Sequence, residues 1–297
     1  MVLRAAIVLL VLTGSASVLA AEPEPAPPSP APSGDPLPSV EEIIQRAEAS
    51  IAKVNDYTAL MLKQERFKKE TGPRERMQIK FARPFKVYVK YLEPFAGREI
   101  IFVRGSNDNQ LKVHKGSFPD INVNLDPRGS MAMGGNHHSI FDFGLENTIK
   151  VAAKNLRLAM QRKEGTFDVS EGPAVGGRQT LRIQASFPKA GATIKVGADE
   201  DLWKIATRTG QDMYLILYAN PEYDEPDDPD EGDSVWVPRY YGARAEFLVD
   251  RETNLPLRVT IWDWKGQVYE TFEYQDLKLN PGLTSRDFDP ANPAYKF

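Results

Sequence analysis

The chain has no cysteine, which excludes disulfides, thiolate metal sites, cysteine nucleophiles and a lipid-attachment cysteine behind a signal sequence. Histidine is nearly as scarce, with only His114, His137 and His138. No apolar run reaches the ~18 residues of a membrane-spanning helix, so an integral membrane protein is not expected. Basic charge is in deficit: the formal net charge is −4, with Lys and Arg dispersed, leaving no electrostatic footprint for nucleic acid. A Gly-x-Ser-x-Gly elbow, a phosphate loop and a dinucleotide fingerprint are also missing. Adjacent His137-His138 would point to opposite faces of a strand or diverge on a helix, and no carboxylate stands at a recognised ligand spacing. The expectation is a protein that is not an enzyme, with no catalytic residue, no cofactor and no metal.

What is present begins with a secretory pattern. Arg4 precedes an apolar run, Ala5–Leu12, and small residues follow, with Val18 and Ala20 at the −3 and −1 positions of a cleavage site. Residues 1–21 are therefore read as a cleavable signal; the alternative, a retained anchor, lacks a continuing apolar run. Arg4 is the only charge in that segment, so its removal moves the net charge from −4 to −5. Residues 22–38 are a Pro/Ala/Ser tract with too little apolar surface to offset ordering, read as an extended disordered linker.

Folding signals start at Ser39, where Glu42 three residues later makes a capping box and Ile43, Ile44, Ala47, Ile51 and Val54 form one helical stripe. From Tyr57 the period drops towards 2. Strands are expected at 57–67, 76–81, 86–92, 99–104, 111–114, 180–187, 244–249, 255–262 and 267–279, joined by short connections that make neighbours antiparallel. A second helix is expected over 145–163, with Gly165 as its stop. Between the sheet segments, 192–241 reads as strand, helix, helix, acidic Pro-rich loop and strand, a self-contained unit standing where a hairpin loop would suffice.

That unit resembles the lysin motif (LysM), a small βααβ module, in Thr193-Ile194-Lys195-Val196, Glu200 to Ala206, Ile216-Leu217, Asn220-Pro221 and Gly232 to Pro238. Leu202, Ile205, Ala206, Met213, Ile216 and Leu217 supply a small core, with Asp199 or Glu200 able to cap the first helix. The resemblance implies binding of peptidoglycan or another N-acetylglucosamine-containing glycan in a groove formed by Gly197, Ala198, Asp199, Glu200 and Asp201 with Asn220, Pro221 and Tyr223. Two features depart from the motif: Asp201 replaces a small hydroxyl residue, and 222–233 holds eight acids and no base, a charge that opposes an acidic polymer.

The flanking regions, 39–191 and 242–297, resemble a bacterial envelope family of unknown function related to the periplasmic lipoprotein carrier fold. The resemblance is carried by Lys63-Gln64-Glu65-Arg66-Phe67, Arg83-Pro84-Phe85-Lys86-Val87-Tyr88, Gly97-Arg98-Glu99, Leu125-Asp126-Pro127 and the segment Asp287 to Phe297. It implies an α+β fold: an incomplete antiparallel β-barrel covered by helices, here with the βααβ insert, enclosing an apolar cavity for an acyl chain. Trp262 and Trp264, read as one face of a strand, and Phe272 and Tyr274, one face of the next, are candidate cavity residues; the alternative is that they are ordinary core aromatics. The reading is an exported, soluble periplasmic binding protein for a lipid or lipoprotein acyl group and for cell-wall glycan. The alternatives are an envelope scaffold with a filled core and an enzyme acting on peptidoglycan.

Overall fold

Alternating burial organises most of what the computed structural model describes, residues 36–67 and 70–297; the expected signal and most of the Pro-rich linker lie outside the described residues. After helix α1 (Val40–Ile51), strands β1 (Asp56–Phe67), β2 (Glu70–Thr71), β3 (Glu75–Ala82), β4 (Lys86–Glu93), β5 (Glu99–Val103), β6 (Leu111–His114) and β7 (Asn122–Leu125) follow in order. The short helix α2 (Ser130–Met133) and the long α3 (Leu145–Arg162) come next, then β8 (Thr166–Val175) and β9 (Arg178–Ser186). The inserted unit holds β10 (Gly191–Lys195), α4 (Leu202–Thr209), α5 (Met213–Ala219) and β11 (Ser234–Pro238). The chain returns to the sheet with β12 (Arg244–Asp250), β13 (Pro256–Trp262) and β14 (Val268–Leu279).

Twelve strands form one antiparallel sheet, in the order β7-β6-β5-β4-β3-β1-β14-β13-β12-β9-β8 with β2 attached to β1. β7 and β8 end that path and do not pair with each other, so among the described residues the sheet is not closed. Its centre is the long-range pair β1–β14, in which Met61 faces Tyr274, Lys63 faces Phe272 and Glu65 faces Glu270. β10 and β11 pair only with each other.

Helix α1 starts as its sequence demands: Glu42 N donates to Ser39 Oγ at 3.3 Å, and Ser39 N donates to Glu42 Oε2 at 2.8 Å. Its buried face, together with Leu145, Ile149, Ala153 and Leu156 of α3, packs on the sheet. Gly144 sets the angle of α3. At φ +109° it lies so close to Tyr57 that a Cβ there would stand 2.9 Å from the phenol oxygen, which accepts a hydrogen bond from Leu145 N at 3.2 Å. On the other face of the sheet, Ala82, Tyr88 and Ile101 bury Phe288 of the C-terminal segment.

The expected elements are found with small shifts at their ends, and three strands, the two-residue β2 with β7 and β8, go beyond them. β7 and β8 present mostly half-exposed or exposed residues, so neither carries the apolar alternation that marks the others. In the insert, α4 begins at Leu202, and Asp199 before it takes a left-handed φ of 54°. The cap is neither Asp199 nor Glu200 but Asp201, whose Oδ1 accepts from Lys204 N at 2.7 Å. The insert has its own core of Val196, Leu202, Ile205, Ala206, Met213, Ile216, Leu217, Val235 and Val237.

Candidate functional site

Strand periodicity assembles the site. In β1, Tyr57, Ala59, Met61, Lys63 and Glu65 are all buried on one face, a row that turns from apolar to charged along its length. β14 answers across the pair with Tyr274, Phe272 and Glu270. Between these strands and α3 lies a cavity of about 180 Å³. Met77, Val89, Ile100, Leu111 and Val259 from the sheet, with Val151 and Leu156 from α3, give it apolar walls. At one end its lining becomes polar, with Lys63, Glu65, Asn136, His138, Tyr241 and Glu270. Asp142 and Arg244 also line it and are exposed, which marks where the cavity meets solvent.

The polar end is a connected network. Lys63 Nζ donates to Glu65 Oε2 at 3.1 Å and to Asn136 Oδ1 at 2.6 Å, and it pairs with Glu75 at 3.0 Å. His137 N donates to Glu65 Oε2 at 3.2 Å. His137 and His138 occupy a loop, neither strand nor helix. Their rings do not diverge as the sequence suggested: His137 Nδ1 lies 3.3 Å and His138 Nε2 3.1 Å from the same oxygen, Glu270 Oε2. Tyr241 Oη is 2.8 Å from His138 Nε2, and Asp212 of the insert is 3.9 Å from His138 Nδ1. Aromatic rings fix His137, which stacks on Tyr269 at 4.2 Å and 15° and packs against Phe67 and Tyr214.

Burial and charge pull against each other here. Burial disfavours ionised Glu270, yet the His138 charge and the close contacts of both histidines hold its pKa down at about 2. Burial likewise opposes a charged His138, but Glu270, with Asp212 and Glu65 behind it, raises its pKa to about 10. Lys63 is held charged in spite of its burial by Glu65 and Glu75. Asp212 is pushed up by burial, against the opposing pull of His138. Sequence reasoning missed this cluster because its members come from β1, the 134–139 loop and β14, and no local spacing links them.

A family profile described as "Protein of unknown function (DUF1571)" matches residues 54–200 and 237–297. The chain belongs to the DUF1571 family. No curated protein matches it. Among solved structures it is similar to MucB, at 11% identity and a TM-score of 0.41, over 84% of this chain and 62% of that one. It thus spans less than two thirds of the MucB chain. The lipoprotein LppX of Mycobacterium tuberculosis is similar at 8% identity and a TM-score of 0.40, over 84% of this chain and 100% of that one. A LolA superfamily protein from Nitrosomonas europaea is similar at 9% identity and a TM-score of 0.32, over 85% of this chain and 98% of that one.

The DUF1571 match breaks within the insert, leaving out the two helices, the acidic loop and the start of β11. The residues singled out there as glycan candidates make internal bonds. Glu200 accepts from Gly197 N at 3.0 Å and from Arg208, and Asp201 is the helix cap. Asn220 is buried: its amide donates to Ile216 O at 2.7 Å and Trp236 O at 2.8 Å and accepts from Trp236 N at 2.7 Å. Tyr223 donates to Asp233 at 3.2 Å and packs on the insert core. Gly197, Ala198, Asp199 and Pro221 are exposed. Of the four cavity candidates, Phe272 and Tyr274 line the cavity. Trp262 ends β13 beneath Arg244, whose guanidinium is 3.9 Å from the ring centroid. Trp264 lies beyond that strand in the turn after Asp263 and packs against Trp236, so the two tryptophans share no strand face.

Proposed function

We propose that this DUF1571 member is an exported, non-catalytic binding protein that takes the acyl chain of a lipid or lipoprotein into the cavity between its sheet and α3. The observation that carries this reading is the cavity itself, with apolar walls, a charged end and the exposed Asp142 and Arg244 in its lining. An apolar cavity of roughly 150 Å³ already holds a benzene-sized ligand, so the space here suits a segment of hydrocarbon chain. Met61 and Met77 add side chains that adapt their shape to an occupant. Among the described residues no helix is long and apolar enough to cross a membrane, and the secretory pattern of residues 1–21 supports a periplasmic site of action. A scaffold with a filled core is the less favoured alternative, because the core is hollow where α3 crosses the sheet. Glycan binding by the insert is left out of the proposal, because the side chains of Glu200, Asp201 and Asn220 are already committed within it.

The test is displacement of a fluorescent fatty acid from the purified protein, with Val151→Trp as a variant that fills the cavity from the half-buried face of α3. Wild type is expected to bind one equivalent, and Val151→Trp to lose at least about tenfold in affinity with an unchanged melting temperature. Absence of saturable binding by wild type sinks the proposal, as does an equally strong Val151→Trp.

A further inference from the structure

We propose that Glu65, His137 and Glu270 form a binding site for one divalent transition-metal ion, for which Zn²⁺ is the probe. One ligand atom from each of these three residues lies within 4.8 Å of the other two, and all three side chains are at most 4% exposed. This assignment does not depend on what fills the apolar part of the cavity.

Three observations carry it. The first is register. Glu65 and Glu270 stand directly opposite each other on β1 and β14, and like charges in that relation repel, the more so when buried. A cation shared by the two carboxylates turns the repulsion into attraction.

The second is the orientation of His137. Its Nε2 lies 3.0 Å from the carbonyl oxygen of Arg66, which can only accept, so Nε2 carries the hydrogen. In the neutral ring Nδ1 then presents a lone pair, aimed at the carboxylate oxygen Glu270 Oε2 3.3 Å away. A lone pair facing a carboxylate needs a proton or a metal between them. An imidazole whose outer N–H is fixed by a backbone carbonyl is the usual arrangement of a metal-ligating histidine.

The third is the charge balance of the whole cluster. Among the described residues, Glu65, Glu75 and Glu270, with Asp212 from the insert as a fourth carboxylate, face Lys63, His138 and, only when its Nδ1 carries a proton, His137. Two carboxylates and an imidazole suit zinc and its first-row neighbours better than calcium, which prefers oxygen ligands alone. Glu65 and Glu270 line the cavity, so an ion has a path in and the site keeps a coordination position open towards it.

The experiment titrates Zn²⁺ into the purified, chelator-stripped protein by calorimetry, with Co²⁺ absorption as a spectroscopic substitute. Wild type is expected to bind one equivalent saturably and to develop a ligand-field spectrum with Co²⁺. Glu65→Gln, His137→Gln and Glu270→Gln should each weaken binding at least about tenfold, while His114→Gln, far from the cluster, should not. Since the buried substitutions can disturb folding, the ¹⁵N resonances of His137 in wild type give a second readout. Nδ1 should shift on addition of Zn²⁺ while the Nε2 proton stays in place. No saturable equivalent, an unshifted Nδ1, or folded variants that retain wild-type affinity would overturn the assignment; the last outcome would place the ion elsewhere.

Discussion

Asn220 shows how far a single residue can depart from its sequence role. Read in line, Asn220-Pro221 is a helix stop beside a binding loop. In the folded chain, its amide donates two hydrogen bonds and accepts a third, bracing the last turn of α5 to the backbone of β11 at Trp236. That partner is 16 residues away, across the acidic loop, so no pattern of neighbours reveals it. Asn220→Ala strands buried donors and acceptors at both ends, and the expected cost is about 2 kcal/mol, read from urea unfolding followed by the insert's tryptophans. His137 and His138 tell the same story. Their identity was plain in the sequence, but their convergence on Glu270 follows from loop geometry and a sheet register set by residues more than a hundred positions apart.

Elements were far more legible. The capping box of α1, the stripe of α3 and the alternation of β1, β3 and β13 are local properties, repeated within a few residues, and a sequence displays them directly. β7 and β8 escaped because edge strands with little buried surface need no apolar alternation. The insert was legible as an element group for another reason: its core residues recur at helical spacing and close on themselves. Leu202 is fully buried in that core. Leu202→Ala should cost on the order of 3 kcal/mol, concentrated in 191–238. Hydrogen exchange there should accelerate while the amides of β1 and β14 keep wild-type protection; equal acceleration throughout would mean that insert and sheet unfold together.

For the molecule as a whole, the C-terminal segment behaves as a strap over the outer face of the sheet. Tyr295 stacks on Tyr88 at 4.1 Å, and Lys80 Nζ donates to Asp287 at 2.7 Å and to Tyr295 Oη at 3.0 Å. Partial burial opposes ionisation of Asp287, but the bonds from Lys80 and from Thr284 outweigh it and hold its pKa below the ordinary value of 3.8. A depressed carboxylate pKa stabilises the folded state fully above the unfolded-state value and ceases to do so as pH falls through the folded-state one. The strap should therefore hold evenly from about pH 5 to 7 and loosen below about pH 4. Proteolysis of the C-terminal segment across that range provides the measurement. Asp287→Asn should be looser at neutral pH and lose most of the acid step; a step of wild-type size in that variant would assign the effect to another group.

The β1–β14 pair has a mechanical consequence. The start of β1 lies beside the end of β14, with Tyr57 opposite Leu279, and Asn280 N and Asp56 O are hydrogen-bonded at 2.8 Å. The two ends of the sheet's long-range seam thus leave from the same corner. Tension applied between them pulls across the seam rather than along it, so its hydrogen bonds carry the load one after another, as the teeth of a zipper do. The seam that joins the two halves of the sheet, and brings Glu65 to Glu270, is also its line of least resistance to a pull.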